Sequence, residues 1–254
     1  MHLREFRDRL NERLDHERYA SVDASSNGVQ IGDDTASIDR AAFAVDAATE
    51  TIEAAAAAGA DVLVVHHGII WGGLDRVTGR EYERIAACLE HDLALYASHL
   101  PLDGHDDLGN AAGLTEFLGC ERVASFGAYN GVTIGQQVDA TEPYTVETLR
   151  GRLSDLDTGG QPVRALDFGP DRIESIAIVT GSGVDWIREA EAAGVDALIT
   201  GEGKQQAYHE AKEAELNVFF AGHYATETFG VRALRTLVET WDIETEYLDY
   251  PTGI

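Results

Sequence analysis

The segment DVLVVHHGIIWGG, residues 61–73, places two adjacent histidines directly after a run of four apolar residues. The run VLVV (62–65) is typical of a strand that is buried on both faces, as strands of parallel sheets are. A glycine, Gly68, follows the histidines and marks a loop. We therefore expect a buried strand over 61–65 that leads into His66 and His67.

Strands and helices alternate along most of the chain, which is typical of an α/β architecture with mostly buried strands. An amphipathic first helix carries Leu3, Phe6, Leu10 and Leu14 at helical spacing. The later predicted helices are 50–58 with Thr49 as N-cap, 80–91, 108–118, 184–193, 203–214 and 226–240. The predicted strands are 37–45, 61–65, 93–97, 174–179, 195–199, 216–220 and 243–248. Residues 99–110 are predicted as a loop, and 126–138 and 161–168 as strands or connections.

Two pairs of segments resemble each other. The first pair is AAAAAGADVLVVHHG (54–68) and EAEAAGVDALITGEG (189–203), and the second is DLALYASHLPLD (92–103) and LNVFFAGHYATE (216–227). We infer two similar α/β halves produced by duplication, although any two strand-to-helix units share some of these features. The second pair aligns a histidine and, four residues later, a carboxylate: His99 with His223, and Asp103 with Glu227.

The domain prediction follows from this repeat. We expect a first half over 1–125 and a second half over 126–254, with 223–254 as a segment that can pack on the first half. The predicted fold class is α/β, with two similar halves, mixed sheets, and a metal site between the halves at the carboxyl ends of strands.

The metal prediction comes from polar groups that follow the predicted strands. Ligands of open α/β sheets bind beyond the carboxyl ends of the strands, so parallel strands would bring these groups to one rim. Imidazole and carboxylate together suit ions such as zinc, iron or manganese. A mixed set of three histidines and two carboxylates drawn from these groups exceeds the ligands of one open catalytic ion, whereas two ions that share a carboxylate would use such a set in full. The groups are His66 with His67, His99 with Asp103, Gly201 with Glu202, and His223 with Glu227.

A simpler interpretation exists for each histidine, since a lone histidine at a strand end is usually a hydrogen-bonded polar residue. Neighbouring residues of a strand point to opposite faces, so a regular strand directs only one of His66 and His67 inward. A turn at Gly68 would let both converge. The remaining histidines are interpreted as surface positions (His105 and His209) or as solvated positions in predicted helices (His2, His16 and His91).

The chain is strongly acidic, with 45 acidic and 19 basic residues and a formal net charge of −26. A polyanion repels nucleic acid, which requires clustered Lys and Arg. Salt screens the repulsion among surface carboxylates, so we interpret the composition as that of a halophilic protein. An acidic interaction surface is the alternative.

The cysteines and the N-terminal residues give little information about where the protein acts. Cys88 and Cys120 form no disulfide framework and match no zinc-ligand spacing. No apolar run approaches the length of a membrane span, and the N-terminal residues lack a signal-peptide pattern. We expect a cytoplasmic protein that binds neither membrane nor nucleic acid.

Four separated motifs together resemble the Nif-three-like family, also called GTP cyclohydrolase I type 2 homologues. The similarity extends from NGVQIGD (27–33) to the last predicted helix. The motifs are HHGIIW (66–71), SHLPLDGHDDLGNAAGL (98–114), TGEG (200–203) and AGHYATETFGVRAL (221–234).

The resemblance implies a dinuclear metal centre with two divalent ions per chain, of zinc, iron or manganese. It also implies a ring-shaped homohexamer, a trimer of dimers, built from chains with two similar α/β domains. Glu227 is the implied bridging ligand. The implied ligands are His66, His67, Asp103, His223 and Glu227.

The roles of Glu202 and of the GSG turn are open. Aspartate is frequent in the family where this chain has Glu202, so the role of Glu202 is open. The GSG turn (181–183) precedes a predicted helix and is either a phosphate-binding turn or simply a tight turn.

The function that the resemblance implies is a metal-dependent hydrolase that opens the imidazole ring of GTP or acts on a similar heterocycle. A metal ion lowers the pKa of water from about 15.7 toward 7, which suits this chemistry. His99 or His105 is the expected proton carrier. Glu202 is expected to orient a ligand histidine without itself binding the metal. The alternatives are a hydrolase of another small molecule and a non-enzymatic metal-binding or interaction protein.

The net charge generates a first prediction, that stability depends on salt. Lowering the ionic strength from 1 M to 0.1 M lengthens the Debye distance from about 3 Å to about 10 Å, so repulsion among carboxylates grows. The melting temperature should fall progressively between molar and tens of millimolar salt. An unchanged melting temperature over that range would contradict the halophilic interpretation.

Overall fold

Two units, each with its own sheet, make up residues 1–254 of the computed structural model. Unit 1 comprises Met1–Leu102 and Gly230–Tyr250, and unit 2 comprises Asp103–Phe229 and Pro251–Ile254.

The elements alternate between helix and strand over most of the chain. The helices are α1 Leu3–Arg13, α2 His16–Tyr19, α3 Thr49–Ala57, α4 Gly79–Glu90, α5 Leu100–Asp103, α6 Asn110–Phe117, α7 Val146–Leu153, α8 Ile187–Ala193, α9 Ala207–Glu213 and α10 His223–Glu239, with a 3₁₀ turn at Gly183–Trp186. The strands are β1 Gly28–Ile31, β2 Arg40–Asp46, β3 Val62–His67, β4 Ala94–Ala97, β5 Cys120–Tyr129, β6 Val132–Tyr144, β7 Arg164–Leu166, β8 Ile173–Ile178, β9 Ala197–Thr200, β10 Asn217–Phe220 and β11 Glu244–Tyr247.

The sheet of unit 1 has the strand order β1-β4-β3-β2-β11. Its strands are parallel except β1, which lies antiparallel to β4 at the edge. Leu63 and Val65 of β3 belong to a core cluster with Ile52 of α3. On β4, Tyr96 meets Phe6 of α1 edge to face, with 6.3 Å between the ring centroids. Helices thus supply partners for apolar residues throughout this sheet, as the continuous apolar run predicts.

The sheet of unit 2 has the order β5-β6-β8-β9-β10-β7. Strands β8, β9 and β10 are parallel, and the other pairs are antiparallel, so both sheets are mixed. Strands β5 and β6 form a hairpin around Asn130 and Gly131, both of which have positive φ. This is the geometry of a two-residue type I′ turn, for which Asn-Gly is the preferred pair.

An aspartate fixes the start of the parallel strands in the same way in both units. Asp61 Oδ2 accepts hydrogen bonds from the backbone N–H groups of Asp39 and Arg40, at 2.8 and 2.9 Å. Asp196 lies 135 residues further on (196 − 61), and its Oδ2 accepts from Glu174 and Ser175, at 2.8 and 3.0 Å. Those donors are also 135 residues apart. The repeated segments therefore build equivalent structures.

The strand register shows the same duplication. Ala41 pairs with Val62 in unit 1, and Ile176 pairs with Ala197 in unit 2, again 135 residues later. The third strand differs, since Val62 pairs with Ala94 whereas Ala197 pairs with Asn217, an offset of 123 (217 − 94). The sequence alignment of His99 with His223 has an offset of 124. The second unit therefore has one additional residue between this strand and its histidine.

The predicted elements are largely present, with differences at the ends and in unit 2. Strand β3 continues through both histidines, and α10 begins at His223, three residues before the predicted start. Ala48 rather than Thr49 is the N-cap residue of α3. Helix α7 was not predicted; its N-cap Thr145 accepts a hydrogen bond from the backbone N–H of Thr148. The predicted loop 99–110 contains the short helix α5. No helix of the structure is long and apolar enough to cross a bilayer.

The prediction of a solvated position is wrong for His16, which is buried. Its Nε2 lies 3.0 Å from Ser98 Oγ and 3.2 Å from the Tyr96 hydroxyl. The imidazole stacks on the Tyr96 ring at 5.8 Å between centroids. Burial lowers the pKa of His16 from 6.5 to about 4, against the smaller opposing effect of Asp23 and Asp15. His2, His91 and His209 are exposed, as predicted.

The buried His16 generates a second prediction, on acid stability. Between pH 6.5 and 4 the unfolded chain binds a proton at His16 that the folded chain does not, so stability falls as the pH is lowered. From pH 7 to 5 this group should remove about 2 kcal/mol of unfolding free energy, given about 1.4 kcal/mol per pKa unit. His16→Gln keeps a hydrogen-bonding side chain without a titrating one. Denaturant unfolding at both pH values, in one salt concentration, should show a shallower loss for H16Q. An equal loss in wild type and variant would contradict this.

Candidate metal centre

Three histidines converge at the carboxyl ends of β3 and β4 in unit 1. The ring centroids of His66 and His67 are 4.6 Å apart, and those of His66 and His99 are 5.1 Å apart. One ligand nitrogen from each of the three imidazoles lies within 4.8 Å of the others, so the group could hold a metal ion. Imidazole nitrogens are suitable ligands for zinc and iron.

Each of the three imidazoles donates its Nδ1–H to an oxygen. His66 donates to the backbone carbonyl of Ser98 at 3.0 Å, and His67 donates to Asp46 Oδ1 at 2.8 Å. His99 donates to Asp23 Oδ1 at 2.9 Å. Since these oxygens only accept, Nδ1 carries a proton, and in the neutral imidazole Nε2 carries the lone pair. Metal-binding histidines are held and oriented in this way.

The two adjacent histidines reach toward opposite neighbours of β3. His66 is anchored on the β4 side through Ser98, whereas His67 pairs with Asp46 of β2 in the parallel register. Convergence therefore does not need a turn at Gly68, whose φ is not positive. A Cβ at residue 68 would lie 2.4 Å from Gln30 Nε2, so a side chain there would displace the Gln30 amide. Gln30 Oε1 in turn accepts from the backbone N–H groups that follow Gly68.

Asp23 organises the loop that holds His99. Its carboxylate accepts from His99 Nδ1 and from the backbone N–H groups of Ser25 and Leu100. Burial alone would raise the pKa of Asp23, but the hydrogen bond and charge of His99, with further hydrogen bonds from Asn27 and Ser25, hold its pKa below the usual value. Asp23 is therefore an anion that orients the imidazole.

Unit 2 contains the other predicted ligands. Asp103, at the end of α5, is buried, and its Oδ1 accepts from Asn110 Nδ2 at 2.8 Å and from Thr180 Oγ1 at 3.3 Å. His223 and Glu227 lie one turn apart at the start of α10, with 3.2 Å between His223 Nε2 and Glu227 Oε2. Glu227 is buried.

The backbone of the GSG turn gives Glu227 its space. Gly181 has φ +59, and a Cβ added there would lie 2.1 Å from Glu227 Oε1 and 3.0 Å from His223 Nε2. Only glycine therefore leaves room for both ligand atoms. Asp, His and Glu side chains held around such a space have the oxygen and nitrogen donors that divalent ions of the zinc, iron and manganese kind prefer. The residues present thus fit a metal ion.

The two remaining predicted residues make local contacts in unit 2. Glu202 Oε1 lies 3.4 Å from His223 Nδ1, on the side of the ring away from Glu227. His105 Nδ1 accepts from the backbone N–H groups of Asp107 and Leu108, so a neutral His105 carries its proton on Nε2.

Sequence reasoning missed the residues that orient the histidines, Asp46 and Asp23. Asp46 had a usable signal, since it directly follows the predicted strand 37–45 beside the strand that carries His67. Asp23 had none, because it lies in an irregular segment 76 residues before His99.

Fold and side chains together define a class of protein: a duplicated α/β protein whose strand ends carry histidines and carboxylates that could hold metal ions. The chain belongs to the Duf34/NIF3 family (NGG1p interacting factor 3), whose family model matches residues 1–252. The resemblance seen in the sequence motifs is therefore confirmed.

Individual relatives agree with this assignment. The chain is 55% identical over 247 residues to a Halobacterium salinarum protein named GTP cyclohydrolase 1 type 2 homolog, covering 97% of each chain. It is 42% identical over 233 residues to an Archaeoglobus fulgidus protein of the same name, covering 91% of this chain and 92% of the relative. Among solved structures, protein ybgI superposes with a TM-score of 0.91 at 31% identity, and TTHA1606 from Thermus thermophilus with 0.87 at 32% identity. Each superposition covers all of both chains.

The space at Gly181 generates a third prediction. Gly181→Ala should weaken metal binding by more than about tenfold, because the new methyl group displaces Glu227. Metal content after dialysis against a zinc, iron or manganese buffer, measured by elemental analysis, is the readout.

The matched control is Gly119→Ala. Gly119 also has positive φ, +65, but a Cβ there meets nothing within 4 Å. Both variants carry the same backbone strain of about 1–2 kcal/mol, so any difference between them reports the contact with Glu227. Equal metal content in the two variants would show that the space beside Glu227 holds no ion.

Proposed function

We propose that the protein is a metal-dependent hydrolase that acts on a nucleotide or a similar heterocycle. Its dinuclear centre would use His66, His67, Asp103, His223 and Glu227, with Glu227 as the bridging ligand. The observation that carries the proposal is the orientation of the imidazoles of unit 1, each with an oxygen on Nδ1 and a lone pair on Nε2.

The chemistry of the two divalent ions would be Lewis acidity and a lowered pKa of water, as in known two-metal hydrolytic sites. The chain itself supplies charge and orientation. Asp103 and Glu227 bring two negative charges, which offset part of the repulsion between two cations. Asp46 and the Ser98 carbonyl fix the tautomers and ring orientations of His67 and His66.

His99 is the proposed proton carrier. Its Nδ1–H is held by the Asp23 carboxylate, as in general bases whose imidazole is oriented by an aspartate. The same geometry would also suit His99 as a third histidine ligand of the metal. His105 is the second candidate, through the proton on its Nε2.

An exposed aromatic ring beside the histidines favours a planar substrate. Trp71 is 41% exposed, yet its ring lies 4.9 Å from that of His99, edge to face. Its indole N–H donates to the Gly68 carbonyl at 3.0 Å, and the backbone of Trp71 bridges to Ser25. An indole held in place at an open position can stack on a heterocycle.

We also propose assembly into a homohexamer, on the basis of the family and of apolar side chains exposed in unit 1. Leu74, Val77, Tyr82 and Leu89 are exposed within 16 consecutive positions, on α4 and the loop before it. Apolar exposure concentrated in this way is typical of protein contacts. Light scattering in high salt measures the assembly directly.

Loss of a ligand carboxylate generates the fourth prediction. Asp103→Asn and Glu227→Gln should each lower turnover by two or more orders of magnitude, because the site then has less negative charge for a second cation, while the fold persists. The assay is the release of formate or a ring-opened product from GTP in high salt, with and without chelator. His209→Ala, at an exposed position, is the control and should leave turnover unchanged.

The outcomes separate the alternatives. Turnover that persists in chelator would contradict a metal mechanism. Absence of turnover on a broad panel of nucleotides and heterocycles, with metal verified in the protein, would instead favour the non-enzymatic metal-binding or interaction role.

A further inference from the structure

A cavity of about 410 Å³ lies within unit 2, beyond the carboxyl ends of β9 and β10. Ligands of α/β sheets bind at such strand ends, and the volume lies within the usual range for small-molecule sites. Its lining combines a guanidinium, a carboxylate, an amide and an aromatic ring, from Arg164, Glu202, Gln161 and Phe220.

The duplication relates this end of unit 2 to the histidine cluster of unit 1. The positions in unit 2 that correspond to His66 and His67 are Gly201 and Glu202, at an offset of 135. The sequence alignment pairs His99 with His223, and Gly222 is the residue before that histidine. Of the three imidazoles of unit 1, that of His66 is thus replaced by bare backbone in unit 2.

Neither of these glycines has room or freedom for a side chain. A Cβ on Gly201 would lie 2.6 Å from the Cα of His223, and Gly222 has φ +96. Both line the cavity. These two positions of the cavity wall therefore consist of backbone alone.

Arg164 supplies positive charge to this cavity. It pairs across the antiparallel strands with Phe220, and its guanidinium carbon lies 5.6 Å from the centre of the Phe220 ring. The guanidinium forms no ion pair with a carboxylate of the chain, although the chain carries a net charge of −26. An unpaired guanidinium is suited to a phosphate or carboxylate group.

Glu202 supplies an acceptor. Its Oε1 faces His223 Nδ1 at 3.4 Å, and its second carboxylate oxygen remains to accept from a ligand. A guanine edge, with adjacent N1–H and N2–H donors, matches a carboxylate better than an adenine edge does, because adenine presents a donor beside an acceptor.

We propose that this cavity binds a purine nucleotide, with an N–H edge of the base on Glu202 and the phosphate on Arg164. The proposal deepens the proposed function and rests on it for the nature of the substrate, because Glu202 also touches the candidate ligand His223. Arg164 and Glu202 would be the residues that determine specificity.

The test measures GMP and guanosine binding by calorimetry to the full chain in chelator, at one fixed high salt concentration. Removing the metal separates this inference from the hydrolytic mechanism. Arg164→Gln should weaken GMP binding about 10- to 100-fold, the usual effect of losing a charge-assisted hydrogen bond, and leave guanosine binding unchanged. Glu202→Gln should reduce the preference for GMP over AMP.

The control is Arg172→Gln, an exposed arginine of unit 2 that pairs with Glu174 outside the cavity. It should bind GMP as the wild type does. No GMP binding by the metal-free wild type, or equal binding by R164Q and R172Q, would overturn the inference. Metal-dependent turnover could survive either result, whereas GMP binding without turnover on any substrate would contradict only the hydrolase.

Discussion

The parallel strands of unit 1 depend on one carboxylate at their amino ends. Asp61 ties the first backbone N–H groups of β2 to the start of β3, and this contact sets the register of the two strands. Six residues later the same register places Asp46 opposite His67, so that an anion meets the imidazole Nδ1–H. A shift by one residue would turn every side chain of the strand to the other face and break this pair. The orientation of a candidate metal ligand thus depends on a hydrogen bond at the far end of its strand.

Much of the fold is predictable because the parallel strands are buried on both faces. An apolar run such as 62–65, flanked by helical segments, fits a buried parallel strand better than any half-exposed element, and the alternation then defines the α/β class. The antiparallel part of unit 2 was harder, because its strands are half exposed and carry polar residues. The predicted strand or connection over 126–138 runs across the Asn130-Gly131 pair, which is the preferred pair of a two-residue hairpin turn. Thr145, an N-cap followed by Thr148, similarly marked α7.

The candidate site was predictable to the extent that its residues follow strands. His66, His67 and His99 were found in this way, and the structure brings them together in unit 1. What sequence could not supply was the second layer of contacts. Asp23 lies far from His99 in sequence. The space beside Glu227 depends on the backbone of Gly181, and a glycine in a sequence does not indicate which side chain it makes room for. His16 was misjudged for a related reason, since helical position alone does not reveal that Tyr96 and Ser98 cover the ring.

Duplication gives both units the same backbone framework. Residues that the two units share support this framework, whereas residues that differ are candidates for function. The aspartates at 61 and 196 are shared, so they belong to the frame. The strand ends are only partly shared, because His66 corresponds to Gly201 whereas His99 aligns with His223. At these strand ends unit 1 has an imidazole cluster that could hold a metal ion, and unit 2 has a cavity. A side chain at Gly201 is excluded because its Cβ would lie 2.6 Å from the Cα of His223. The two units therefore differ there in backbone packing as well as in side-chain chemistry.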